Sequence, residues 1–298
     1  MHLGFLGFGL IAGSVARAVR ANAATADWTM AAWSPSGSGP GNALAEGIIA
    51  RAAATPESAL DGADVVVLAA PATACLELID RLAGPWRDHL PVTAVVTDVA
   101  STKARLVERA DAVGLRFVGG HPMAGLERTG FAASAADLFR DRPWIIVPGA
   151  VASPADVARV EALAAACSAR TIVMDADAHD RAVAGVSHLP LVVAVALVEA
   201  VVGATDDVDP GSGSAADWAT AAGLAAGGWR DMTRLARGDP AMGAAIVATN
   251  ADPLAARVRA LRAALDAWLA ELERVGGPDE AAVTRRLETA RAALELEP

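Results

Sequence analysis

The chain has 298 residues, 54% of them hydrophobic, which is enough apolar material for more than one core and excludes a globally disordered chain. Its 25 Lys and Arg face 35 Asp and Glu without any basic cluster, so a generic nucleic-acid binder, which must displace counterions from phosphates, is excluded as well. A small anionic substrate would need a local cationic pocket instead.

In chain order, the apolar stretch from Met1 to Ala18 ends in small residues, yet no Lys or Arg precedes it, so it does not read as a secretory signal and a cytoplasmic protein is expected. Short β-like runs at 3–5, 28–33, 65–69, 94–97, 116–118, 144–147 and 171–174 alternate with helical patterns, which implies βαβ units in a mainly parallel sheet. After Asp175 the strands stop, and long Ala/Leu/Val-rich helices are expected at about 177–204, 213–226, 239–275 and 278–295, with a Gly/Asp/Pro-rich loop from Gly203 to Ser214. The expected fold is therefore α/β: an N-terminal Rossmann-like, mainly parallel sheet domain over 1–175, then an all-helical C-terminal domain over 176–298. Within the latter, the ten apolar residues from Leu189 to Val198 fall far short of the ~20 that cross a bilayer and read as a buried helix, so no membrane association is expected. The apolar helical faces are large for a stand-alone bundle, and a homodimer formed through them is expected.

Gly7-Phe8-Gly9-Leu10-Ile11-Ala12-Gly13-Ser14 lies between a strand and a helix. Gly7 permits the tight turn, Gly9 lets backbone N–H groups approach a pyrophosphate, and Ala12 fills the close-packed third position. The plainer alternative is a strand-to-helix turn with no ligand; the position at the very first strand favours nucleotide binding, with Gly7, Gly9, Leu10 and Ile11 at the cofactor. The second strand ends in Ala32-Trp33-Ser34-Pro35-Ser36, without the carboxylate that commonly holds an NAD ribose. Either NAD binds without it, or the hydroxyls of Ser34 and Ser36 tolerate the 2′-phosphate of NADP; the cofactor is accordingly NAD or NADP.

Asp98-Val99-Ala100-Ser101-Thr102-Lys103 marks a strand-to-helix junction, where Ser101 or Thr102 could be an N-cap and Ser101 could also reach a substrate hydroxyl. His121-Pro122-Met123-Ala124-Gly125 follows Phe117-Val118 and Gly119-Gly120, placing an imidazole on a flexible turn at a strand's carboxyl end, where open α/β sheets bind ligands. His121 could satisfy a loop carbonyl, but the backbone is shaped to present it as a base near neutral pH. His2, His89 and His179 rank lower, and His188, before Pro190, is either a satisfied core histidine or a cleft residue. Arg234, in Trp229-Arg230-Asp231-Met232-Thr233-Arg234, suits a carboxylate better than surface charge would suggest. Cys75 and Cys167 sit in helical patterns without partners at metal-ligand spacing and read as small core residues; no metal site is expected.

Taken in order, the glycine turn, Asp-Val-x-Ser-x-Lys, Gly-His-Pro-Met-Ala-Gly, His-Asp-Arg, Ser-His-Leu-Pro, Arg-Asp-x-Thr-Arg and Asp-Pro resemble the prephenate/arogenate dehydrogenase family of tyrosine biosynthesis from residue 3 to about 252. The resemblance implies His121 as the catalytic base, Ser101 as a substrate- and base-orienting hydroxyl, His188 as a cleft residue and Arg234 as the anchor of a substrate carboxylate. It implies oxidative decarboxylation of prephenate or arogenate with hydride transfer to NAD or NADP. Leu126 and Gly243 depart from the family pattern, where Ser or Thr and Trp are common, so its substrate preference does not carry over. The chain begins at the nucleotide-binding strand and ends in helix, and no chorismate mutase or regulatory module is expected. A β-hydroxyacid dehydrogenase or imine reductase would share the architecture, but the former calls for a lysine in the helical domain and Lys103 is the only lysine. A nucleotide sensor without turnover is the alternative outside enzymes.

Overall fold

The computed structural model describes residues 1–126, 128–203 and 215–295. Eight strands form one sheet: β1 (His2–Leu6), β2 (Thr29–Trp33), β3 (Arg51–Ala52), β4 (Val65–Leu68), β5 (Val95–Asp98), β6 (Phe117–Pro122), β7 (Pro143–Pro148) and β8 (Arg170–Val173), in the order β3-β2-β1-β4-β5-β6-β7-β8. Neighbours are parallel except β6 and β7, which run antiparallel. The order reverses between β1 and β4, the switch point at which open α/β sheets leave a crevice. All seven expected strands are present; only the two-residue β3, too short to carry a period, has no counterpart in the sequence reading.

Helices α1 (Leu10–Ala21), α2 (Ser38–Ala45), α3 (Pro56–Leu60), α4 (Ala72–Ala83), α5 (Ala104–Ala112) and α6 (Pro154–Ala166) cross between strands. Central strands covered on both faces must be apolar throughout, and Val65–Leu68 is wholly buried. One core unites Phe5, Val15, Val19, Phe131, Trp144 and Leu163. The other unites Leu60, Leu68, Leu82, Leu106 and Phe117. Start signals act as the residues dictate: Ser153 caps α6 by accepting from the Asp156 N–H, the Asp156 carboxylate reaches back to the Ser153 N–H, and Pro154 occupies the first turn.

Beyond β8 every described element is helical: α7 (Ala176–Val183), α8 (Leu189–Val202), α9 (Ala215–Ala221), α10 (Gly227–Thr233), α11 (Pro240–Thr249), α12 (Ala251–Leu272) and α13 (Glu280–Glu295). The expected loop at 204–214 lies outside the described residues. The single helix expected over 239–275 is broken instead, because Asn250 leaves the helical region (φ −130°, ψ 35°). The helix over Leu189–Val198 is not buried: only Ala194 of α8 is, and through a five-residue π-helical stretch, Ala184–His188, α8 continues α7 into a run of 27 residues, Ala176–Val202. That run is long and apolar enough to cross a membrane, but its first half carries the buried polar residues His179, Asp180 and His188. The chain forms two compact units, Met1–Leu254 and Ala255–Pro298. In the second, the Arg286 guanidinium lies 4.1 Å from the Trp268 ring centroid and donates to the Ala264 carbonyl.

His121 is not on a flexible turn. It is the fifth residue of β6, paired with Ile145 of β7, and the glycines before it are there for close approach: a Cβ on Gly120 would stand 2.5 Å from the Asp98 carbonyl oxygen, and one on Gly119 2.9 Å from Cδ of Lys103. We expect Gly120→Ala to destabilise the protein by about 1–3 kcal/mol, as overpacking does. Gly9→Ala, where a Cβ meets nothing within 4 Å, should leave stability nearly unchanged. Denaturant unfolding of the two variants checks this, and equal midpoints would contradict it.

Candidate active site

The glycine turn lies at the switch point. Gly7 adopts φ +92° and donates its N–H to the Trp33 carbonyl at 2.8 Å, and a Cβ on it would reach 2.3 Å from the Ala69 carbonyl oxygen, so only glycine fits. Gly9 is the N-cap of α1, has no side-chain cap, and faces open space. Leu10 and Ile11 form the first turn, which contains no acidic residue. Uncapped N–H groups at the positive end of a twelve-residue helix, with open approach, fit a dinucleotide pyrophosphate. Ala12 is buried, as the close-packed third position requires. Gly13 is as tight, for a Cβ there would meet the Phe131 ring at 2.7 Å.

At the end of β2, Ser34 does not offer its hydroxyl outward: Oγ is buried and makes no hydrogen bond. Ser36 and Ser38, exposed, share one at 2.9 Å. No carboxylate stands in this loop from Ser34 to Ser38.

The loop from β5 to α5 is held by buried charges. Asp98 accepts from the Ala100 N–H (2.8 Å) and the Gly120 N–H (3.1 Å) and pairs with Lys103, both side chains being fully sealed. The chain's only lysine thus ties the loop to the strand that carries His121, a role the sequence reading missed although its uniqueness was visible. Neither Ser101 nor Thr102 caps α5. Thr102 bonds Thr249 Oγ1 at 2.7 Å, and the N–H groups of Lys103 and Ala104 donate to the two carboxylate oxygens of Asp180, at 2.8 and 2.9 Å. A carboxylate from α7 therefore does the capping.

Asp180 is also 2.7 Å from His179 Nδ1, and His179 Nε2 is 2.8 Å from His121 Nδ1. His121 is buried with its ring edge-on to His179, and its Nε2 makes no hydrogen bond among the described residues. Burial, then the neighbouring His179, Lys103 and His188, hold its pKa well below the usual histidine range, so it is neutral at physiological pH. His179, ranked low from sequence as a residue at a helix start, is its direct partner; the adjacent Asp180 was the available signal.

His188 enters the same group by a local irregularity. Pro190 has no N–H and its ring crowds the carbonyl four residues back, which accounts for the π-helical stretch that turns His188 inward. Its Nδ1 lies 3.0 Å from Asn250 Nδ2, which also donates to the Asp180 carbonyl at 2.8 Å. An amide nitrogen only donates, so Nδ1 accepts and Nε2 carries the proton, buried and without a partner. Burial lowers the His188 pKa to about 4, with His179 adding to the effect and Asp180 opposing it; the nearby Ser101 main chain also favours the proton but does not bond Nε2.

Of the candidates from sequence, His121, His188 and the half-buried Ser101 are thus brought around one loop, while Gly7, Gly9, Leu10, Ile11 and Ser34 line the carboxyl ends of β1 and β2. Arg234 stands at the end of α10, exposed, on a turn (Arg234–Arg237) packed against α8. Cys75 and Cys167 are buried, their thiols pushed up to about 12, which leaves them inert.

Residues 15–173 match the family model "Prephenate dehydrogenase, nucleotide-binding domain" and residues 175–279 match "Prephenate dehydrogenase, dimerization domain". The prephenate dehydrogenase of Bacillus subtilis is 31% identical over 272 residues, which is 90% of this chain and 67% of that one. Among solved structures, prephenate dehydrogenase from A. aeolicus in complex with hydroxyphenyl propionate and NAD+ superposes with TM-score 0.83 at 25% identity, covering 100% of this chain and 98% of that one. Synechocystis arogenate dehydrogenase gives 0.76 at 26% identity, covering 99% of each.

A histidine whose folded value lies near 4 refuses, in the native state, a proton that the unfolded chain accepts at its ordinary 6.5. Its contribution to stability is complete above that ordinary value and is lost as pH falls towards 4, by about 3 kcal/mol. His188→Asn should accordingly lose less stability than wild type between neutral pH and about pH 4 in denaturant titrations. Parallel curves for the two proteins would contradict the burial of a neutral His188.

Proposed function

The chain belongs to the prephenate dehydrogenase family, and from that premise we propose that it oxidatively decarboxylates prephenate or arogenate to 4-hydroxyphenylpyruvate or tyrosine, in tyrosine biosynthesis. The observation that carries this reading is a neutral, buried His121 whose Nε2 has no hydrogen bond among the described residues, near the carboxyl end of β6 in the sheet whose first strand leads into the uncapped N-terminus of α1. A nicotinamide dinucleotide supplies the hydride acceptor when bound. Gly7, Gly9 and the first turn of α1 hold its pyrophosphate. His121 Nε2 takes the proton of the ring 4-hydroxyl as the hydride leaves that carbon; the bond to the ring carboxylate then breaks, carbon dioxide departs, and its electron pair completes the aromatic ring. Ser101 orients the substrate hydroxyl and the base. His188 offers its orphan Nε2–H to a substrate oxygen, and Arg234 pairs with a carboxylate. The protein's share is chiefly alignment and exclusion of water.

The sealed pairing of Lys103 with Asp98 leaves no lysine for the hydroxyacid-dehydrogenase alternative. On the two-domain reading, 1–175 binds the dinucleotide and 176–298 serves substrate binding and dimerisation; the match to a dimerization domain and the incompletely buried apolar residues of α8 support a homodimer, and a cytoplasmic location goes with the activity. For the cofactor, we propose appreciable use of NADP, because the Ser34–Ser38 loop presents no carboxylate to repel a 2′-phosphate.

His121→Asn should fold and bind dinucleotide but lose about 10²–10⁴-fold in kcat, as loss of a general base does, with a milder effect from His188→Asn. Steady-state kinetics would exchange the two roles if the order were reversed. In the same assays Arg234→Ala should chiefly raise KM, a carboxylate contact being made in both ground and transition states. Ser34→Asp should shift preference towards NAD, and a wild-type enzyme that strongly prefers NAD would refute the NADP proposal.

A further inference from the structure

We propose that His179 and Asp180 are positioning residues that hold His121 as the Nδ1–H tautomer, so that Nε2 is always presented as the acceptor. The inference rests on His121 being the base, but its argument needs only the geometry. Both oxygens of Asp180 accept from N–H donors at the first turn of α5. A carboxylate can only accept, so the nitrogen 2.7 Å from it, His179 Nδ1, carries a proton. A neutral imidazole has one N–H, which leaves His179 Nε2 with its lone pair. The nitrogen 2.8 Å away, His121 Nδ1, must then be the donor, and the remaining nitrogen of His121 has only a lone pair to offer.

The consequence is directional. A histidine free in water favours the opposite tautomer, with its proton on Nε2, and in that form it could not take a proton from a substrate hydroxyl there. When Nε2 of His121 gains a proton and the ring becomes cationic, the new charge lies one imidazole away from the Asp180 carboxylate. His179, Lys103 and His188, the groups facing His121, all act against that charge, so its compensation is the Asp180 carboxylate beyond the His179 ring. The second histidine lengthens the familiar base–orienter arrangement by one ring. It also lets the carboxylate stay at the end of α5, where it caps the helix, rather than beside the base.

The test is 15N NMR of the protein labelled at its histidine rings, without substrate, at neutral pH. The expected result is a protonated Nδ1 and an unprotonated Nε2 on His121. A His121 with its proton on Nε2 would overturn the proposal. In His179→Phe, which removes the acceptor, the His121 proton should move to Nε2 and kcat should fall about 10²-fold, with dinucleotide affinity unchanged. His179→Gln, whose side-chain oxygen can accept where Nε2 did, should recover much of the rate. Unchanged tautomer and rate in His179→Phe would also overturn it. Because the NMR signal needs no turnover, an active His121→Asn would sink the assignment of the base while leaving the tautomer result intact.

Discussion

Asp180 on the N-terminus of α5 is the contact on which the rest of the site depends. One carboxylate takes two backbone N–H groups of the nucleotide-binding part, orients His179, and belongs to the helix that continues through His188 into α8. Removing it would leave two N–H donors and an imidazole unsatisfied in a buried place, where each unmade hydrogen bond costs about 1–3 kcal/mol. The helical segment is thereby registered on the sheet by chemistry rather than by apolar packing alone, which would tolerate sliding. Asn250 repeats the device, binding the Asp180 carbonyl and His188 with one amide group.

A second buried pair performs the same task on the sheet side. Asp98 and Lys103 are wholly sealed, and a buried ion pair is a poor source of net stability because desolvation offsets the attraction. What it supplies is position: Asp98 accepts from Gly120, next to His121, and from Ala100, next to Ser101. Gly119 leaves room for the Lys103 side chain and Gly120 for the Asp98 main-chain carbonyl. The glycines, the lysine and the aspartate are therefore one construction, which holds the backbone next to His121.

The fold was readable because it rests on local periodicity: Val65–Leu68 and Val95–Asp98 look like buried parallel strands, and the turn at Gly7 announces a helix start. The place of His121 near a strand's carboxyl end was readable from Gly-His-Pro-Met-Ala-Gly. What escaped was everything decided by groups distant in the chain. The cap of α5 comes from 76 residues away, so the hydroxyls at Ser101 and Thr102 looked sufficient. The partner of His121 comes from 58 residues away, so His179 looked like a helix-start residue. Gly-Gly read as flexibility because what approaches it closely lies on another strand. The apolar run at 189–198 read as buried since a single sequence gives hydropathy but not what covers it.

The central claim is that this site turns over rather than only binding a nucleotide. Wild-type protein given prephenate or arogenate with NAD+ or NADP+ should form reduced nicotinamide and carbon dioxide in equal amounts, because one hydride leaves for each carboxylate lost. Dinucleotide binding without reduction, with either substrate and either cofactor, would contradict it.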